Sequence, residues 1–550
     1  MALLLDIFGF LSVVLRGLVL TTQSLMIGGI AFLAVIVGPV SAKLGARGPA
    51  ALARARRLLI WSALGLAAVE LAATTLECIV LAGTVDIPLA QAFGAGFARF
   101  ELVAAAAALL AAWVARRPLS RMRVAVLFAL AFVTLAAQVA TSHAAAQLDN
   151  RGVLLVAEFL HIAAAGVWIG GIPYFLMILN ATDSGVGHGV IGRRFSLMLI
   201  ATVTVLIGAG LVMALAYVGS LDAIYGTAYG VMVVTKVLLL LSLLFLGAMN
   251  NRIVERLRRD PTTPVLRLRR FAELEIGIGL TVLFAAASLT SQPPAVDLTT
   301  DRLTGHEIVE RLTPHWPRLT SPDHASLALS ELQARIATAE ATNAPHPRAY
   351  VPGEGIPPPR NAADMAWSEY NHNVAGLFML VIGLLAFAER TGKVPWARHW
   401  PLLLVGLSGF LLIKSDPQTW PLGNLGLLAG LRDPEVVQHH IFALLVGVFG
   451  VFEWRVRTGR VADPRVALVF PGLILTTGAL LFTHTHALAN IKDQLLMEMS
   501  HVPLALFGMT AGAARWLELR LDGRDSRIAS WVWPIAFMMV GLILLGYRES

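Results

Sequence analysis

Phe195–Val218 reads FSLMLIATVTVLIGAGLVMALAYV, 24 consecutive residues without Asp, Glu, Lys or Arg. Coiled as an α-helix the run is about 36 Å long, more than the roughly 30 Å hydrocarbon core of a bilayer. Similar runs recur on both sides of it. Helices are predicted at 10–40, 58–83, 99–115, 122–143, 153–180, 195–218, 229–250 and 271–291, and again at 369–390, 399–413, 436–455, 466–484, 495–517 and 530–547. The expected fold is therefore all-α, a polytopic integral membrane protein with about 14 transmembrane helices in two bundles of eight and six. Two of these spans are short. The third has an interfacial segment expected before it, around Gln91–Phe97, and the tenth could re-enter instead of crossing.

Composition agrees with this count. Of 550 residues 57% are hydrophobic and 14% charged, against about 25% charged in a soluble domain, which excludes a large soluble enzyme. The net charge of +8 raises the question of nucleic acid, but the basic residues answer it by where they fall. They crowd alternate loops: Lys43–Arg57, Arg116–Arg123, Arg252–Arg270, Arg390–Arg398, Arg455–Arg465 and Arg515–Arg527. The intervening loops hold few, chiefly Arg99, Arg151, Lys414, Arg432 and Lys492. By the positive-inside rule both termini and the poorly basic loops face outward, so the charge encodes topology and no nucleic-acid partner is expected. The first span lacks a basic leading region and carries Arg16, which reads as a retained helix and not a signal peptide.

Three parts follow: 1–291, an eight-helix membrane domain; 292–368, a Pro-rich linker or small cap on the outward side; and 369–550, a six-helix membrane domain rich in histidine. A short helix is expected at Ser326–Ala341, and His306, His315, His324 and His346 in the linker are expected to be solvated. Trp420, Trp454, Trp516, Trp531 and Trp533 lie near span ends, as an interfacial belt requires.

Ionisable groups inside spans are costly and mark wet interiors or pairs. In the first block Arg16, Glu77, Arg99, Glu101, His143, Glu158, His161 and Lys236 all fall in the outward halves of their helices, with Glu70 nearer the midplane. They describe either a polar vestibule or a set of locking pairs such as Arg16 with Glu77 and Arg99 with Glu101 or Glu158. In the fifth span Glu158, His161 and Trp168 share a helical face, and Gly166 and Gly170 form a small-xxx-small pair that admits a close neighbour. His161 is then either a metal or haem ligand or an interhelical hydrogen-bonding group.

The single cysteine, Cys78, leaves no Cys-based metal motif, so any metal site uses His, Met or carboxylates. The second block supplies them at one depth. His372 opens the ninth span, His439 and His440 the eleventh, His484 and His486 close the twelfth, and His501 stands near the start of the thirteenth, with Met497 four residues before it. Topology alone puts all six on the outward face, whereas only His188 and His399 fall on the other. Imidazole suits copper, zinc, nickel and iron, and thioether sulfur selects the reduced copper ion.

Leu160-His161 followed by Trp168-Ile169-Gly170-Gly171 resembles the bacterial copper-resistance D family, most clearly over residues 150–290. The stretches Asn371-His372-Asn373, Gln438-His439-His440, Thr483-His484-Thr485-His486 and Glu498-Met499-Ser500-His501 resemble the C-terminal half of that family's longer members. The resemblance implies copper uptake or resistance at the bacterial inner membrane, periplasmic termini, and a periplasmic copper chaperone as partner beside the lipid bilayer and the copper ion itself. No P-type ATPase segment is present, and a transporter or metal-binding protein is favoured over an enzyme. A similar Leu-His helix occurs in membrane proteins that handle haem. Two other readings therefore stand beside copper transport: a membrane oxidoreductase linked to copper or quinone, with haem b held by His161 and His440, and a copper-delivery factor for respiratory oxidase assembly.

Overall fold

Within a bilayer every backbone amide needs a partner from its own segment or a closed barrel, and apolar runs of this length meet that demand as helices. The computed structural model describes residues 2–38, 47–182, 185–300, 302–327, 361–423, 426–431, 434–461, 463–481 and 491–549, and among these there is no strand. The chain divides into two compact units, Phe8–Thr300 in the first and Ala2–Ile7 with Asp301–Ser550 in the second. Eleven helices among the described residues are long and apolar enough to cross a membrane, eight in the first unit and three in the second. Leu402–Lys414 and Val466–Gly478 are shorter apolar helices, so the count by length and composition is eleven against the fourteen expected.

The long helices of the first unit are α1 (Ala2–Ala31, continued as a π-helical turn over Phe32–Val37), α2 (Gly48–Val85), α3 (Gly96–Ala115), α4 (Arg121–Val139), α5 (Arg151–Ala181), α6 (Gly185–Val218), α7 (Ala228–Arg259) and α8 (Leu266–Thr290). The segment expected at the interface before α3 is a one-turn helix, Leu89–Phe93. The fourth span ends at Val139, and His143 opens a separate short helix, His143–Ala146. Helices α1 and α5 meet backbone to backbone. A Cβ built on Gly170 would overlap the Ser24 carbonyl, and one on Gly28 the Gly170 backbone, so glycine is what permits the crossing. Beside it Phe175 stacks on Phe195 at 4.4 Å and Phe32 meets Phe195 edge-on at 5.6 Å, tying α1, α5 and α6 together.

The second unit holds α9 (Ala362–Arg390), α10 (Leu402–Lys414), α11 (Pro434–Arg457), α12 (Val469–Leu481), α13 (Ile491–Arg520) and α14 (Gly523–Leu545). An Asn361–Asp364 capping box starts α9. Gly376 and Gly383 of α9 and Gly541 of α14 leave no room for a Cβ against the opposite backbone, which brings these two helices close.

One end of this unit corrects the reading of its basic residues and of Trp533. Arg390, Arg457 and Arg515 are not loop charges. Arg457 pairs with Glu389 at 2.7 Å and Glu453 at 2.8 Å, Arg515 with Glu518 at 2.7 Å and Glu453 at 3.6 Å, and Arg390 with Glu518 at 2.6 Å. Trp533, fully buried where a belt position was expected, donates to Glu518 at 2.7 Å, and Trp400 donates to Glu389 at 3.2 Å. The Arg457 guanidinium lies over both indoles, at 4.8 and 5.0 Å. Three cations and three anions thus neutralise one another where a lone charge would be prohibitive.

Candidate functional site

At the other end of the second unit α9 begins, α10 ends, α11 and α13 begin and α14 ends, and here the described histidines gather. Ring centroids of His372 (α9) and His501 (α13) are 6.2 Å apart with planes nearly perpendicular. Tyr547, just beyond α14, stacks on His372 at 4.0 Å and meets His501 at 6.1 Å. A buried asparagine fixes that tyrosine: Asn373 donates to the carbonyls of Leu544 and Tyr547 at 3.1 and 3.0 Å and accepts from the Arg318 amide at 2.6 Å. The Tyr547 hydroxyl in turn donates to Glu549, which also takes the Ser368 hydroxyl.

Asp416, after α10 and buried, accepts from Nδ1 of His439 at 2.8 Å and stands 3.4 Å from Nδ1 of His440. His440 Nδ1 also reaches the Val436 carbonyl at 2.8 Å, and His372 Nδ1 the Ser368 carbonyl at 2.8 Å. Carbonyl and carboxylate oxygens only accept, so in all three rings Nδ1 carries a proton. This is the arrangement by which an outer carboxylate or carbonyl orients a metal-binding imidazole. A cavity of about 380 Å³ lies beside it, lined among others by Trp316, Arg318, Glu369, Asn373, Tyr547 and Arg548.

His484 and His486, residues 328–341 of the expected helix Ser326–Ala341, and His346 lie outside the described residues, as does the Met497 side chain; Ser326 itself closes a 3-10 turn, His324–Ser326. Among the described residues no three His, Cys, Asp or Glu side chains stand together as a preformed metal site. Part of the linker covers the histidine-bearing end. His324, expected in solvent, contacts the Pro417 carbonyl through Nε2 at 2.7 Å, and Arg318 pairs with Glu369 at 3.1 Å. Lys492 pairs with Glu307 at 2.8 Å, and together with the Thr304 amide and hydroxyl it pushes the Glu307 carboxyl down to about 2. Asp416 and Tyr547 were not singled out from the sequence. The signal available for Asp416 was an acid in a short outward loop.

In the first unit His161 is interhelical: its Nδ1 lies 3.1 Å from the Leu206 carbonyl of α6 and carries a proton there. Glu158 accepts from Ser142 at 2.6 Å, and His143 Nε2 lies 3.1 Å from the Thr290 carbonyl. Lys236 is half-buried on α7, within electrostatic reach of Glu158. The expected locking pairs do not form among the described residues: Arg99 is exposed, and neither it nor Arg16 has a carboxylate within 4 Å. Nor did the sequence reveal that Asn250 of α7 donates to the buried Glu275 of α8 at 2.8 Å.

Comparison with known proteins adds the following. The model of the family described as Copper resistance protein D matches residues 189–289, inside the region named from the sequence but starting beyond the Leu160-His161 motif. The chain is 31% identical over 166 residues to the Copper transport protein CutJ of Bacillus subtilis (strain 168), covering 30% of this chain and 29% of that protein. It thus spans about 29% of the length of the curated relative it matches. No solved structure matches. The chain is a multi-pass helical membrane protein whose first unit is similar, over residues 189–289, to the family described as Copper resistance protein D.

Proposed function

We propose that the protein captures copper at the outward, periplasmic face of the bacterial inner membrane and moves it inward for uptake or resistance. The observation that carries this is that Nδ1 of His372, His439 and His440 is in each case held by an oxygen, the orientation in which a neutral imidazole offers Nε2 to a metal. In this reading those residues receive copper with His501, His484 and His486, and Met497 favours the reduced ion. The 6.2 Å separation of the His372 and His501 rings suits imidazoles on opposite sides of one ion, since metal–nitrogen bonds of about 2.0 Å put such centroids about 6 Å apart. Passage inward then uses Glu77, His143, Glu158 and His161 of the first unit, with Arg16 and Lys236 setting its charge. A periplasmic copper chaperone is the donor this implies.

Fourteen spans with both termini periplasmic complete the proposal, the eleven long helices being joined by α10, α12 and α13. Residues 1–291 and 369–550 form the two membrane domains, with 292–368 between them. The name of the matched family and that of the CutJ relative both support copper as the cargo. Asp416→Ala tests the assignment. Loss of an outer-sphere partner weakens a metal site about 10- to 100-fold, and a competition titration with a Cu(I) chelator should show that loss in the full chain. Unchanged copper affinity would overturn the site, and an intense Soret band in the purified protein would replace copper with haem.

A further inference from the structure

Around Arg16 of α1 stand three glutamates: Glu70 and Glu77 of α2 and Glu101 of α3. They line a cavity of about 20 Å³ together with Ser12, Val19 and Ala73, space for about one water molecule. Glu70 is only 4% exposed and lines this cavity, and its carboxyl makes no hydrogen bond among the described residues. Seven residues beyond Arg16 on the same face of α1, the Gln23 amide is buried with neither of its polar atoms partnered. Buried polar groups of this kind are satisfied by something the protein itself does not supply.

Fully ionised, the cluster would hold three negative charges against one positive charge inside a membrane-embedded bundle, an arrangement that invites a bound cation. The hydrogen bonds indicate which. Thr74 has one hydroxyl proton, yet its Oγ1 lies 2.8 Å from the Glu70 carbonyl and 2.8 Å from Glu101 Oε2. Both contacts are satisfied when Thr74 donates to the carbonyl and a protonated Glu101 donates to Thr74. Among the described residues the three carboxylates do not converge as a metal would require.

We propose that Glu70 and Glu101 around Arg16, with Glu77 beside them, form a proton-binding site at which Glu70 or Glu101 loads and releases a proton through this cavity. Glu158 lies within electrostatic reach of Arg16 and His143, and the buried thiol of Cys78 within that of Glu77 and Glu101. Protonation converts a carboxylate to a carboxylic acid with nothing else consumed. The inference goes beyond copper capture and needs no copper, so it stands or falls separately.

Dicyclohexylcarbodiimide, an apolar reagent that adds to protonated carboxyls, tests it on the full chain in lipid nanodiscs with peptide mass spectrometry. The expected result is an adduct on Glu70 or Glu101 at mildly acidic pH that falls away as the pH is raised. Arg16→Gln should shift the labelling midpoint by about tenfold in proton concentration toward higher pH, because the guanidinium favours the ionised carboxylates. Glu101→Gln, whose amide donates to Thr74 as the acid does, should fold with an unchanged Tm. No adduct at any pH, an adduct independent of pH, or protection by Na⁺, K⁺ or Cu⁺ in place of a pH dependence would each overturn the proposal.

Discussion

Replacing Arg457 with methionine removes the centre of the buried network in the second unit. Its side chain is 4% exposed, and that of Glu453 is 0%. Without the guanidinium, Glu389 keeps only Trp400 and Arg390's weaker field, Glu453 keeps Arg515 at 3.6 Å, and three anions face two cations. Breaking a buried pair in this way costs about 3–5 kcal/mol. For a cooperative unit of this size that corresponds to a fall in Tm of about 10 °C. Glu453→Gln alone leaves the opposite imbalance and is also destabilising, whereas the double variant restores neutrality. The double variant should therefore be more stable than the sum of the singles predicts, by about 1–3 kcal/mol. Arg455→Met, at an exposed position on the same helix, is the control and should stay within about 0.5 kcal/mol. Thermal unfolding in detergent, followed by intrinsic tryptophan fluorescence, reads all four. Additive singles, or an Arg457→Met variant as stable as the Arg455→Met control, would refute the claim that the network is held by mutual neutralisation.

Gly170→Ala should lower Tm sharply, since its Cβ overlaps the Ser24 carbonyl, whereas Gly208→Ala, with nothing within 4 Å, should be neutral; equal behaviour would mean that α1 and α5 do not cross as described. The Glu307–Lys492 pair predicts a pH dependence of known sign. The folded carboxyl is depressed to about 2, so its stabilising effect is full above the ordinary carboxylate value and is lost as pH falls from there toward 2. Lys492→Ala should raise the Glu307 titration, followed by infrared spectroscopy, part of the way to the ordinary range, because the Thr304 amide and hydroxyl still hold the carboxylate.

Hydropathy and charge placement exposed the all-helical membrane architecture, because the bilayer permits few alternatives to a 24-residue apolar run such as Phe195–Val218. The glycines of α5 were legible for the same reason: small residues four apart have one common use inside a membrane. The Arg–Glu network was not legible. Arg390, Arg457 and Arg515 sit at helix ends where topology already accounts for positive charge, and the contacts that join them into one network run between separate helices. Only the Glu453–Arg457 and Arg515–Glu518 spacings of four and three residues hinted at pairing. Likewise the helix-end histidines indicated a common face, but not that Asp416 and Tyr547 orient them, because those contacts join residues 23 and 175 positions apart.

The central claim is that imidazoles at the outward end of the second unit take up copper. It is tested most directly by copper K-edge absorption spectroscopy and metal content of the Cu(I)-loaded full chain. Wild type should show imidazole nitrogen around the metal. A variant with His372, His439, His440 and His501 replaced by alanine, still folded by its Tm, should lose copper and that signature together. A variant that retains copper in the same amount, with an unchanged spectrum, would contradict the claim.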